Sequence, residues 1–207
     1  VLDAKTLEYV PQEKPDIPSL KKVKGVHDPG QRIKTVVFAD DRAGAFAWRI
    51  VKDTLAYSAN RMGEIADTIV DIDTAIKWGF NWELGPFETW DALGVADTVK
   101  KMEADGVKAA PWVHEMLKAG CPSFYRDGAA SREYYDLRKK AYVPIPKPDS
   151  FLILSDIKRQ KAPVYESMGA SLVDLGDGIA CVAFPSATQP AMTPLDAKIT
   201  QHFAGLV

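Results

Sequence analysis

The chain has 207 residues, enough for one sizeable core or for one core with appendages. Apolar residues make up 46% and charged residues 26%, and the net charge is −2 with a pI near 6.0. No strong field therefore argues for nucleic acid or an anionic membrane as a partner. Cys121 and Cys181 lie far apart without metal-ligand spacing, which disfavours a disulfide framework or zinc site and makes a reduced, cytoplasmic setting the expectation.

No apolar run reaches the length of a membrane span, and no basic region precedes an apolar stretch as in a signal peptide. The chain starts at Val1 and closes on the apolar run Phe203–Val207, and both ends read as cuts through something longer. Residues 1–36 are polar and proline-punctuated. Val1–Asp3 and Leu7–Val10 suit two short strands, after which Pro11, Pro15 and Pro18 are expected to hold the chain extended. Lys21, Lys22 and Lys24 read as a solvated face.

Residues 42–63 predict a long amphipathic helix with Phe46, Ile50, Val51, Leu55, Ala59 and Met62 along its core stripe. Asp71 is placed to cap a second helix carrying Ile72, Ala75 and Ile76, with Gly79 as its stop. Pro86 opens a third, closed by Gly94. A fourth spans about Ala96–Asp105, with Gly106 after it, and Pro111 opens a fifth that ends near Gly120. Five helices joined by short connections predict a bundle-like core. Trp48, Trp78, Trp82, Trp90 and Trp112 all fall within this stretch and are expected to fill it, with an aromatic ligand cage as the alternative.

After Gly120 the pattern changes. Ser123–Arg126 and Glu133–Asp136 read as strands around a turn at Asp127-Gly128. Pro144, Pro146 and Pro148 interrupt regular structure, and Ser150–Lys161 suits a short helix. Leu172, Asp174, Ile179, Cys181 and Ala183 alternate as in a hairpin turned by Gly176-Asp177-Gly178. Pro194 is placed to start a last helix over Leu195–Phe203. The expected fold class is mainly α, with a small β-rich tail and hairpin.

Chemistry is sparse. Gly176-Asp177-Gly178 lacks the third glycine and the strand-to-helix setting of a phosphate loop. His27, His114 and His202 stand without partners at metal spacing, and His114-Glu115 reads as a surface pair. Ser58, Ser123 and Ser171 lack a nucleophile elbow. Asp40-Asp41, Asp71 and Asp73 are explained by capping and the helix dipole. Glu83 and Glu88 bracket Gly85-Pro86 and form a weak candidate for acid–base work. No residue is assigned as catalytic, cofactor-binding or metal-ligating.

Two stretches carry a resemblance. Asp71-Ile72-Asp73-Thr74-Ala75-Ile76-Lys77-Trp78-Gly79-Phe80, then Gly85-Pro86-Phe87-Glu88 and Trp90-Asp91-Ala92-Leu93-Gly94-Val95, resemble the C-terminal helical domain of the 3-hydroxyacyl-CoA dehydrogenases over roughly residues 40–120. Gly169–Phe184 resembles the opening hairpin of an enoyl-CoA hydratase (crotonase) domain, and Ala191–Leu195 resembles the start of its first helix, although Pro190 stands where asparagine is usual. Their order, and the likeness of Val1–Pro18 to the close of a first helical repeat, imply the second repeat of a bacterial multifunctional fatty-acid β-oxidation protein.

On that resemblance the division is 1–36, a linker closing the preceding repeat; 37–122, the helical domain; 123–168, a β-rich or irregular linker; and 169–207, a truncated crotonase start. The family's NAD site and its catalytic histidine and glutamate would lie in a domain preceding this chain. The helical domain's catalytic-region asparagine would correspond to Trp48, within Gly44–Val51. An indole donates one hydrogen bond and accepts none, so it cannot replace an amide. The implied role is packing or dimer-like assembly rather than catalysis, alongside the preceding NAD-binding and helical domains, with acyl-CoA as the parent's substrate and a homodimer as a further arrangement. The alternatives are an acyl-CoA-contacting module using the bend from Trp78 to Trp90, and a stand-alone interaction protein.

Overall fold

Eight helices and two three-stranded antiparallel sheets make up the computed structural model, which describes residues 1–12, 15–166 and 170–184. Mainly α is the coarse description, since both sheets are small. The helix expected over Leu195–Phe203, the segment Ala191–Leu195 and His202 lie outside the described residues.

The proline-rich start differs from expectation. It contains α1 (Pro18–Lys22) and α2 (Pro29–Val37), and the two expected strands reduce to one antiparallel bridge, Leu2 to Tyr9. Pro18 and Pro29 sit in first helical turns, where a missing N–H breaks no intrahelical bond. Asp28 caps α2 by accepting from the Gln31 N–H at 2.6 Å. The helix then packs on both α3 (Arg42–Asn60) and α5 (Pro86–Leu93).

α3 is the expected long helix, but its buried face is rotated from the expected one. Trp48, Leu55 and Ala59 are buried, whereas Phe46 and Ile50 are 67% and 50% exposed. At about 100° per residue, Phe46, Ile50 and Tyr57 share one side of the helix and Trp48, Leu55 and Ala59 the opposite one. The spacing is helical on both sides, so periodicity alone could not choose between them.

α4 (Ile69–Phe80) starts at Thr68, not Asp71. Thr68 and Asp71 form a reciprocal capping box, with Asp71 one turn inside the helix. Gly79 lies within the helix, and Asn81 ends it at φ 55°, a left-handed position that a short polar side chain tolerates. Pro86 and Gly94 bound α5 as expected, and Gly94 at φ 94° takes a backbone turn that an L side chain would strain. α6 (Val95–Ala104) follows at once, then α7 (Pro111–Lys118).

The core is aromatic. Phe124 lies between Phe87, Trp90 and Trp112, with ring centroids 5.0, 5.3 and 5.7 Å away. Trp112 Nε1 donates to the Ala59 carbonyl at 3.0 Å. Trp48 and Trp90 are buried, but Trp78 and Trp82 are exposed, so the expectation that all five tryptophans pack fails for two.

β1 (Tyr125–Asp127), β2 (Arg132–Asp136) and β3 (Ala141–Pro144) form the first sheet, with Tyr125 opposite Tyr134 and Tyr134 opposite Val143. β3 was not expected, and Pro144 stands at its end, where no ladder N–H is needed. α8 (Leu154–Gln160) falls within the expected span, and Arg159 pairs with Asp127 of β1. β4 (Tyr165–Glu166), β5 (Ser171–Gly176) and β6 (Ile179–Ala183) form the second sheet. Its β5–β6 hairpin turns at Asp177-Gly178 as expected.

Candidate functional site

Helix termini and side-chain carboxylates build the bend between α4 and α5. Asp73, on α4 and 1% exposed, accepts from the Phe87 N–H at 2.8 Å, the Glu88 N–H at 3.1 Å and the Tyr125 hydroxyl at 2.8 Å. The first two donors are free amides at the start of α5, which a carboxylate satisfies while meeting the positive end of the helix. Gly85 makes this approach possible, because a Cβ there would collide with the Asp73 carboxyl. Burial pushes Asp73 up to about 6, against the pull of the Phe87 N–H and Tyr125 hydroxyl.

Glu88 bonds the Gly85 N–H at 3.0 Å, Lys77 at 2.9 Å and Arg132 at 2.8 Å. Burial pushes its carboxyl up, yet these partners together outweigh burial and hold it below the usual range. Asp91 accepts from the Phe124 and Tyr125 N–H groups at 2.7 and 2.8 Å, and burial pushes it up to about 7. Asp73 is therefore more than the capping residue it resembled. Its partners lie 14 to 52 residues downstream, and no local signal announces them.

Trp48 faces a different region. Its Nε1 donates to Asp105 at 2.5 Å, Lys52 reaches the same oxygen at 3.2 Å, and the Lys101 ammonium sits 5.0 Å over the ring. The indole thus ties the middle of α3 to the end of α6. Asp40, Asp41, Gly44, Arg49 and Asp53 line the surrounding depression of about 650 Å³.

The outward side of α3 borders a third feature. A groove of about 530 Å³ runs between α1, α2, α3 and the α4–α5 bend, floored by Leu20, Ile33, Ile50, Val51 and Leu84 with Trp82 at its side. Arg32 and Glu83 pair across it at 3.4 Å. Phe46, Ile50 and Tyr57 continue the apolar surface along α3.

The remaining candidates separate. Glu83 joins Arg32 while Glu88 joins Lys77 and Arg132, so they share no site. His114 pairs with Glu103 at 2.9 Å and Glu115 with Lys140 at 2.8 Å, in place of the expected pairing with each other. Asp41 caps α3 through the Gly44 N–H and also accepts from Ser19. Ser171 receives Lys158 at 2.9 Å. Among the described residues, no group of three or more His, Cys, Asp or Glu could hold a metal ion, and no helix is long and apolar enough to cross a membrane.

The chain is 40% identical over 185 residues to a protein named probable 3-hydroxyacyl-CoA dehydrogenase from Bacillus subtilis (strain 168). That stretch takes in 89% of this chain and 23% of that protein, so the chain spans about a quarter of the curated relative it matches. No family model matches the chain.

Proposed function

We propose that this chain is an internal helical part of a 3-hydroxyacyl-CoA dehydrogenase-type protein of fatty-acid β-oxidation, and that it serves packing and assembly rather than catalysis. The outward apolar face of α3 carries this reading. Phe46, Ile50 and Tyr57 line up on the side opposite the core, beside an apolar groove, where a neighbouring domain or second copy could cover them. The similarity to the Bacillus subtilis protein supports the dehydrogenase assignment. The resemblance over residues 169–184 is the support for a following crotonase domain.

Trp48 supports the absence of catalysis. Its one donor is already committed to Asp105, so the position offers a substrate or a catalytic histidine neither an amide donor nor an acceptor. NAD would bind in the preceding nucleotide-binding domain, and the parent would act in the cytoplasm on 3-hydroxyacyl-CoA. The helical unit of 37–122 extends back to α2 in this reading, because α2 packs on α3 and α5. Incubating the chain with NAD and 3-hydroxybutyryl-CoA is expected to give no NADH absorbance. Sustained turnover would overturn the assembly reading.

A second reading has one observation in its favour. The groove beside Trp82 has a volume within the range of small-molecule sites. Saturable quenching of tryptophan fluorescence by acyl-CoA, lost in Trp82→Ala, would establish an acyl-CoA contact there.

A further inference from the structure

Tyr125 is gripped at both ends by carboxylates. Its backbone N–H donates to Asp91 of α5 and its hydroxyl to Asp73 of α4, while the Arg132 guanidinium lies 4.4 Å above its ring. The neighbouring Phe124 N–H also belongs to Asp91, and Arg132 of β2 belongs to Glu88. The first sheet is thus joined to the helices through three carboxylates, of which Asp73 and Glu88 are buried and Asp91 partly so.

Their charges do not balance. Lys77 and Arg132 are the two cations bonded to the group, against the carboxylates of Asp73, Glu88 and Asp91. Many of the other charged groups on the packed elements have partners outside the cluster. Arg32 of α2 meets Glu83, Lys52 of α3 meets Asp105, and Asp28 caps α2. On α6, Asp97 meets Lys100 and Glu103 meets His114 of α7, while Glu133 of β2 meets Arg126 of β1. Fully ionised, the cluster carries one surplus negative charge in a setting that solvates it poorly. Neighbouring carboxyls of this kind release protons one at a time, and the last proton belongs to the group.

We propose that the β1–β2–β3 sheet is held on the helices by a proton-linked latch, in which the Asp73–Glu88–Asp91 cluster keeps one proton while Tyr125 is docked. When Tyr125 lifts away, the carboxyls regain water and release that proton. The direction follows from the shifts. Asp73 and Asp91 are raised from 3.8 to about 6 and about 7 in the docked form. A raised carboxyl binds its proton more tightly when docked than when open. These two shifts make docking strongest on the acid side of neutral, down to the pH at which Glu88, held below the usual range by Lys77 and Arg132, is itself protonated and opposes them. It weakens by about tenfold in the docked-to-open ratio per pH unit as pH rises towards neutral, and it levels off above that.

The test is a pH titration of the full chain by NMR, following aspartate and glutamate carboxyl carbons together with the amides of Phe124 and Tyr125. The expected result is one cluster carboxyl that titrates near neutral pH, with both amides moving at the same midpoint. Asp105, held below the usual carboxylate range by the Trp48 and Lys52 bonds, provides a reference carboxyl outside the cluster. Lys77→Gln, at a partly exposed position, should move the midpoint upward by about one pH unit. Glu88→Gln removes the surplus charge and should move it downward. These opposed shifts assign the proton to this cluster, and the movement of the two amides at the same midpoint ties it to docking. Should Glu88→Gln fail to fold, the parent titration and Lys77→Gln still decide. The proposal is overturned if every cluster carboxyl titrates in or below the ordinary range, or if one titrates near neutral while the two amides stay still.

Discussion

Asp73 leaves α4 to organise a bend that belongs to other elements. It satisfies two free amides of α5 and the hydroxyl of Tyr125, so its loss would disturb both the α4–α5 corner and the sheet. Asp73→Asn keeps the size but leaves one acceptor oxygen and points an NH2 group at donors. It is expected to cost about 3 kcal/mol, the scale of a buried donor left without its partner. Urea unfolding followed by far-UV circular dichroism would measure it, and a loss below about 1 kcal/mol would mean these bonds contribute little in solution. Asp71 and Asp73 look alike in the sequence, as two acids in the first turns of one helix. About 200° of helical rotation separates them. One faces Thr68 at the surface and the other the interior, and it is partners beyond α4, the Phe87 and Glu88 amides and the Tyr125 hydroxyl, that distinguish them. Trp48 shows the same limit. Its missing acceptor is legible from the indole itself, but Asp105, 57 residues away, is not.

Elements marked by proline and glycine were legible because those residues act locally. Pro86, Gly94 and Pro111 bound their helices in the structure as their chemistry requires. Where the deciding interaction was not local, sequence reading failed. α2 follows a proline-rich run, yet Asp28 and Pro29 start a helix that α3 and α5 then hold. β3 is a strand because β2 supplies its ladder, and nothing in Ala141–Pro144 states that. The α4 start lies between these cases. Thr68 and Asp71 have the spacing of a capping box, with aspartate in the place usually taken by glutamate. Thr68→Ala removes the acceptor for the Asp71 N–H and is expected to lower stability by about 1 kcal/mol. Thr54→Ala is the control, since Thr54 only bonds back to the Ile50 carbonyl within α3. Paired urea midpoints would check both, and equal midpoints would contradict the cap.

At the scale of the whole molecule, α3 divides the chain into a covered side and an uncovered one. Leu55 and Ala59 on the covered side are 1% exposed, and truncating Leu55 to alanine would open a cavity at a cost of roughly 2–5 kcal/mol. The opposite side has no such role inside the fold. Phe46→Glu with Ile50→Glu places two charges on exposed helical positions, and glutamate is the better helix former. Folding stability is therefore expected to change by no more than about 0.5 kcal/mol per site. If this face is where a second copy packs, the parent chain should gain apparent mass with concentration in sedimentation velocity, and the double variant should stay monomeric. A partner domain in a longer protein gives a different pattern. Both chains are then monomeric alone, and only the parent chain co-elutes with the separately expressed preceding domains. Should the double variant behave like the parent chain in both experiments, the apolar face of α3 is not an assembly surface, and the groove beside Trp82 must be explained as a ligand site or as plain surface.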